Sequence, residues 1–388
     1  MSKHDSPRIL VVDDNDDNRY TLTMYLDLEG YRNVATANDG EEAIALLETE
    51  PFDLVLLDVM MPRLDGFGVL AWLKTKGRLH HLPVIMISAQ SEIESVVRCI
   101  ELGAVDYLVK PFNKVLLRAR LGASLEKKRL RDQVRAHLAR LERELDAART
   151  LQMGMVPQSF PPPDAAFPWD VHARIAPALE VGGDLYDVFR APDGDLCFFI
   201  GDVSGKGMPA ALFMARAKSL IRVVTELTAR ATPADPAAII TRVNAELCDS
   251  NDAMMFVTLF FGVLSARGEL TYCNAGHNPP YRIVGGAITP LAEAAGLVLG
   301  IEPSVVYRTA RAQLASGEGL FLYTDGVTEA FNAAGEPFGE ALLEAALARA
   351  APSSAAMIDA VTADVAAFVG SAPRSDDIAM LALRRLLA

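Results

Sequence analysis

ILVVDDN at residues 9–15, LVLLDVMMPRLDG at 54–66, PVIMIS at 83–88 and YLVKPF at 107–112 share one pattern: a short apolar run ends in a carboxylate, a hydroxyl or an ammonium group. Apolar runs of this length at 9–12, 54–57, 84–87 and 107–109 are those of strands buried on both faces, and amphipathic stretches such as 41–48 lie between them. Strands alternating with helices imply right-handed crossovers and a parallel sheet covered on both sides. A doubly wound α/β domain is therefore expected over residues 8–125. Such sheets place ligands at the carboxyl ends of their strands. Asp13 and Asp14 close the first strand, Asp58 the third, Ser88 the fourth, and Lys110 follows the fifth.

Three carboxylates in one crevice repel each other unless a cation joins them, and oxygen ligands of this kind suit Mg²⁺. In that reading Asp58 is the nucleophile that accepts a phosphoryl group, while Mg²⁺, Lys110 and Ser88 stabilise the charge that builds on its oxygens. Asp14 binds the metal directly and Asp13 partly through water. Over its whole length, including MMPRLDGFGVL and the Lys110-Pro111 pair, the segment resembles the receiver domain of two-component response regulators. The resemblance implies a sensor histidine kinase as phosphodonor and adds Val59 to the Mg²⁺ site. It also implies that Ser88 and Tyr107 report phosphorylation together, and that Lys110-Pro111 is a cis peptide, an isomer proline makes accessible.

Beyond this domain the composition changes. From 113 to 156 glycine and proline nearly vanish while Arg, Glu, Leu and Ala dominate, the composition of one long helix continuous with the last helix of the first domain. Val134, Leu138, Leu141, Leu145, Ala148, Gln152 and Met155 recur at alternating spacings of four and three, the period of a coiled-coil seam. Parallel pairing into a homodimer through this linker is the expectation, against a single spacer helix. Pro157 and the prolines of 161–163 end the helix and mark a boundary near 157–168.

The remainder, 168–388, mixes strand-like runs at 196–200, 256–264, 320–323 and 378–383 with two pairs of helical stretches. Its strands come in groups separated by turn residues, which suits an α+β layered β-sandwich. In EVGGDLYDVF, GDVSGKGMPAAL, LYTDGVTEAF and SDDIAML an aspartate stands where the chain breaks into a glycine turn or helix. Asp184, Asp202, Asp325 and Asp376 could together bind two divalent cations, Mn²⁺ or Mg²⁺, with a bridging water acidified enough to attack phosphorus.

These four strings occur in the order found in metal-dependent protein phosphatases of the 2C type, and the segment resembles their bacterial SpoIIE-type branch. By that resemblance Asp202 bridges both metals, Val203 offers its backbone carbonyl, Asp184 serves one metal, and Asp325 and Asp376 serve the other. Asp377 either supports these ligands or replaces one of them. Gly182 and Gly183 give the ligand loop room, and His277 in NAGHNPP is weighted towards structural hydrogen bonding. Lys206 stands where many relatives carry histidine, and Arg174 is the one candidate for a phosphate-binding arginine. The substrate implied is a phosphorylated anti-sigma-factor antagonist, dephosphorylated on serine or threonine.

The bulk composition fits this division. A chain of 388 residues exceeds what one core usually serves. A formal net charge of −13 argues against a nucleic-acid partner, and no apolar run is long enough to cross a membrane. The polar start at 1–7, without a signal peptide, leads to the expectation of a cytoplasmic protein. Cys99, Cys197, Cys248 and Cys273 are too scattered for a zinc site. The competing function is an adaptor that binds a protein when the receiver is phosphorylated and whose phosphatase fold is inactive. An adaptor need not keep four metal aspartates.

Overall fold

A computed structural model describes residues 6–89, 93–160, 162–163, 167–230, 233–291 and 296–387, with the side chains of 93–96 set aside; Pro161 and Ala388 thus fall outside it. The chain divides into two units, 1–141 and 142–388, each with its own core.

In the first unit, β1 (Ile9–Val12), β2 (Val34–Ala37), β3 (Leu54–Asp58), β4 (Val84–Ser88) and β5 (Asp106–Val109) form one parallel sheet in the order β2-β1-β3-β4-β5. Alternate residues of each strand face opposite ways, and each face is covered. Leu10, Val12, Val55 and Leu57 pack in one apolar cluster, Ile9, Val11, Leu54 and Leu56 in the other. The helices α1 (Asp16–Leu28), α2 (Gly40–Thr49) and α3 (Gly66–Thr75) are each started by an acidic or amide side chain. Asn15, Asp39 and Asp65 accept first-turn backbone amides. α4 (Ile93–Leu102) precedes β5. The weakly apolar β2, VATA, escapes the sequence pattern because only Ala37 of its four residues is buried.

α5 (Lys114–Met155) is a single helix of 42 residues. Leu117 and Leu121 at its start belong to the first unit's core. At its other end Met153, with Val156 just beyond, packs into the second unit. The expected seam divides accordingly: Val134, Leu138 and Leu141 are exposed, whereas Gln152 is buried within its own chain.

The second unit stacks two antiparallel five-stranded sheets between two helix pairs. One sheet runs β13-β10-β9-β8-β7 and the other β12-β11-β14-β15-β6. They are built from β6 (Trp169–Ala176), β7 (Leu185–Arg190), β8 (Leu196–Val203), β9 (Val257–Leu264), β10 (Glu269–Ala275), β11 (Tyr281–Val284), β12 (Ala287–Pro290), β13 (Ala310–Gln313), β14 (Gly319–Tyr323) and β15 (Ile378–Arg385). α6 (Met208–Ala229) and α7 (Pro236–Cys248) cover the first sheet, α8 (Gly339–Arg349) and α9 (Ser354–Val369) the second. Among the described residues no helix is long and apolar enough to cross a membrane.

The period of two explains how adjacent phenylalanines serve different layers. Phe198 and Phe260 point between the sheets and stack, while Phe199 and Phe261 point under α6 and α7 and stack there. Gly262 faces Phe198 across the ladder, and a Cβ there would lie 2.4 Å from the ring. Gly262→Ala is therefore expected to destabilise the full chain by about 1–3 kcal/mol. The cost should shrink in a Phe198→Leu background, where the ring no longer stands in the way, a coupling that calorimetry of the two single variants and the double variant would measure.

Candidate functional site

In the first unit the strand ends converge. Asp13 and Asp58 are buried, Asp14 is exposed, and one oxygen from each of the three lies within 4.8 Å of the others. Lys110 Nζ sits 2.8 Å from Asp13 Oδ2 and 2.9 Å from Asp58 Oδ2. Asp13 also accepts from the Asn15 amide at 3.0 Å and from Asn18 Nδ2, which fixes its orientation. Burial raises the Asp58 pKa, and the Asp13 charge adds to this while the bond from Lys110 opposes it.

Gly66 explains the MMPRLDG string: a Cβ at this position would lie 2.2 Å from the Asp58 carbonyl oxygen, so only glycine lets α3 start so close to the acceptor strand. Val59 donates its amide to Asp58 Oδ1 at 3.0 Å, and its carbonyl accepts from Gly66 N, which leaves one lone pair for another partner. Ser88, half-buried at the end of β4, accepts the Lys110 amide at 2.8 Å. Tyr107 is half-buried beneath the Arg120 guanidinium, 5.1 Å from its ring centre. Lys110-Pro111 is cis.

In the second unit Asp184, just before β7, Asp202 near the end of β8, Asp325 just after β14, and Asp376 just before β15 come together at one edge of the sandwich. Their charges act on each other. Burial raises Asp202 to about 7, with Asp325 and Asp376 adding repulsion. Burial raises Asp184 well above the usual carboxylate range, with Asp202 next in importance. Asp325 is raised by burial and then by Glu329 and Asp376. Asp184 Oδ2 accepts from Thr324 Oγ1 at 2.8 Å, while its buried Oδ1 has no donor among the described residues. A cation or a proton shared with Asp202 would satisfy that oxygen. Carboxylate oxygens of this kind suit a divalent metal, but among the described residues only Asp13, Asp14 and Asp58 bring their ligand atoms within 4.8 Å of one another.

The neighbouring aspartates differ in what they already hold. Asp377 is buried and spends both oxygens on backbone amides, Oδ1 on Ala178 N and Oδ2 on Gly183 N, each at 2.7 Å. Asp376 is half-buried and holds Lys206 Nζ at 2.9 Å from its Oδ2. Close approach accounts for the glycines: a Cβ on Gly182 would meet the Asp377 carboxylate at 2.3 Å, one on Gly183 the Val203 carbonyl oxygen at 2.7 Å, and one on Gly326 the Asp377 carbonyl oxygen at 1.8 Å. His277 is buried beside Thr258 Oγ1, 2.9 Å from its Nδ1, and burial lowers it to about 4, so the ring is neutral near pH 7.

Two contacts could not be read from spacing. Thr324, directly before Asp325 in LYTDG, holds Asp184 from the other sheet. Gln152, near the end of α5, donates Nε2 to Gly182 O at 2.6 Å, and its Oε1 accepts Gly182 N at 3.1 Å. The helix thus grips the backbone of the loop that carries Asp184. Arg174, on β6, donates to Thr362 Oγ1 and Asp359 Oδ1 at 3.0 and 2.9 Å.

The carboxylate cluster gives a sign for pH dependence in the metal-free protein. Folded pKa values above the unfolded ones mean that the folded state keeps protons the unfolded state releases, so stability falls as pH rises from about 4 to about 7. In EDTA, Asp202→Asn is expected to raise the melting temperature at pH 8 by about 2–4 °C, the effect of about 1 kcal/mol, and by less at pH 5. Calorimetry at the two pH values checks this; a lower melting temperature at pH 8 would contradict it.

Comparison with known proteins follows the same division. The family model for the response regulator receiver domain matches residues 9–122, and that for Stage II sporulation protein E (SpoIIE) matches residues 192–386. Protein IcfG of Synechocystis sp. is 31% identical over 271 residues, 62% of this chain and 41% of that protein. The probable transcriptional regulator ycf27 of Cyanophora paradoxa is 43% identical over 120 residues, 31% of this chain and 48% of that protein. The matched stretches therefore span less than half of each of these two relatives. The SiaA PP2C domain of Pseudomonas aeruginosa shares the fold of the second unit, with a TM-score of 0.56 at 24% identity, covering 64% of this chain and 98% of that one. The chain belongs to the SpoIIE family, with a receiver domain ahead of its PP2C-like phosphatase domain.

Proposed function

We propose that the chain is a response regulator in which phosphorylation of Asp58 controls a metal-dependent phosphatase acting on phosphoserine or phosphothreonine of a partner protein, a phosphorylated anti-sigma-factor antagonist. The observation that carries the catalytic half is the buried Asp184 Oδ1, without a donor among the described residues, beside Asp202. Asp184, Asp202, Asp325, Asp376 and the Val203 carbonyl would hold two Mn²⁺ or Mg²⁺ ions, which supply Lewis acidity and an activated water. Asp377 positions the 178–183 loop through its two amide bonds, so Asp376 is the ligand of the pair. Thr324 orients Asp184, and the neutral His277 holds Thr258, the residue that pairs with Asp202 across the ladder.

In the receiver, an Asp58 oxygen would attack the phosphorus of a sensor kinase's phosphohistidine, the phosphorus–nitrogen bond breaking towards the imidazole. Mg²⁺ held by Asp13, Asp14, Asp58 and Val59 would balance the charge. Lys110 holds Asp58 in place, and Ser88 and Tyr107 would respond to the new phosphoryl group. The link between the domains rests on α5 and the Gln152 grip on Gly182, with activation as the expected sign. Exposed Val134, Leu138 and Leu141 support pairing with a second copy along the helix.

Mn²⁺-dependent phosphate release from a phosphoserine peptide is expected from the wild type and is expected to fall at least 100-fold in Asp202→Ala. Equal rates would favour the adaptor. Acetyl phosphate is expected to raise the wild-type rate and leave Asp58→Asn unchanged. In Gln152→Ala the response to acetyl phosphate is expected to be lost, and a full response there would remove the Gln152 grip from the mechanism.

A further inference from the structure

Beside the carboxylate cluster a cavity of about 220 Å³ opens between the outer face of the second sheet, α9 and the loops at 326–331 and 370–376. Gly326, next to Asp325, and Asp376 itself form part of its wall, so the cavity continues directly from the candidate metal site. The rest is mostly apolar: Phe331, Val365, Val369, Ile378 and Met380 line it, and Phe331 stays 39% exposed. The recess is apolar, open, and joined to a strongly charged site.

Two guanidinium groups stand in its wall, and they are not equivalent. Arg174 is committed to Thr362 and Asp359. Arg374 is exposed, two residues before Asp376, and has no ion-pair partner among the described residues. Of these two, Arg374 is the guanidinium free to meet an anion among the described residues.

We infer that this cavity is a specificity subsite that takes an apolar side chain of the phosphoprotein substrate, one to three residues from the phosphorylated serine or threonine, with Arg374 facing the negative charge of the phosphorylated segment. The inference rests on the phosphatase reading and adds the class of sequence it recognises. An extended segment advances about 3.4 Å per residue, so a neighbouring side chain reaches a cavity that shares its wall with Asp376. Anionic charge on the substrate suits Arg374, and apolar surface suits the recess.

The test uses the full chain with Mn²⁺ and fluorescent peptides whose phosphoserine is replaced by a non-hydrolysable difluoromethylene phosphonate. Leu, Phe, Ala or Asp is placed at each of three positions on either side. Anisotropy is expected to give at least tenfold tighter binding, about 1.4 kcal/mol, for Leu or Phe over Asp at one of these positions. Ala366→Trp, an exposed α9 position that fills the cavity, and Phe331→Ala are each expected to cut that preference to threefold or less, and Arg374→Ala to weaken all phosphonate peptides. Equal affinity at every position, no binding at all, or a preference that survives both cavity variants would overturn the inference. Phosphate release from the matching phosphoserine peptides separates the two readings. Binding with the expected preference but without hydrolysis keeps the subsite and removes the phosphatase, whereas hydrolysis indifferent to flanking residues keeps the phosphatase and removes the subsite.

Discussion

Carboxylates drawn together inside a protein repel one another, and the attraction that offsets this must come from a cation, a proton or backbone amides. Each unit of this chain is arranged around that constraint, with a different answer. The receiver carries its own counter-charge: Lys110 bridges Asp13 and Asp58, and its pKa stays raised because, although burial opposes the charge, the bonds to the two carboxylates outweigh it. Among the described residues the second unit has no such bridge between its central carboxylates: Lys206 holds Asp376 and the Ser375 carbonyl at the rim, and burial raises Asp184 and Asp202 well above the usual carboxylate range. The first site balances its carboxylates with a lysine, and the second leaves its central pair without one among the described residues.

Holding so many acidic groups at fixed positions needs bonds that do not depend on the missing charge. Asp377 supplies them by spending its carboxylate on the amides of Ala178 and Gly183, which ties the strand before Asp184 to the turn before β15. The glycines at 182, 183 and 326 then follow from geometry, since each lies where a side chain would strike an oxygen atom across the site. Adjacent aspartates thus divide the work: one is sequestered by backbone amides, the other is half-buried with Lys206 as its partner.

Much of this was legible in the sequence, for identifiable reasons. Carboxylates at the ends of apolar runs stand out because burial and charge are opposed there, and Asp13, Asp58, Asp202 and Asp325 all announce themselves in that way. The fold class followed from the alternation of runs and helices in the first unit and from grouped strands in the second. The half-buried β2 gave no apolar run to find, and β11 to β13 are short and partly exposed. Asp376 and Asp377 could not be separated, because the difference lies in amides about 200 residues away in the chain. Gln152 fits the heptad seam by spacing, but its partner is a backbone group that leaves no trace in residue type.

That last contact also bears on how much regulation a single helix can deliver. The pair of bonds between Gln152 and Gly182 lies in a buried setting, where leaving both partners unsatisfied costs about 1–3 kcal/mol. A coupling of that size changes the population of a two-state loop by roughly 5- to 150-fold, the range typical of allosteric control. Gly182 adjoins Gly183, whose amide is held by Asp377, and Asp184 follows directly. A small movement at Gln152 would therefore be felt first by Asp184, whose Oδ1 has no donor among the described residues.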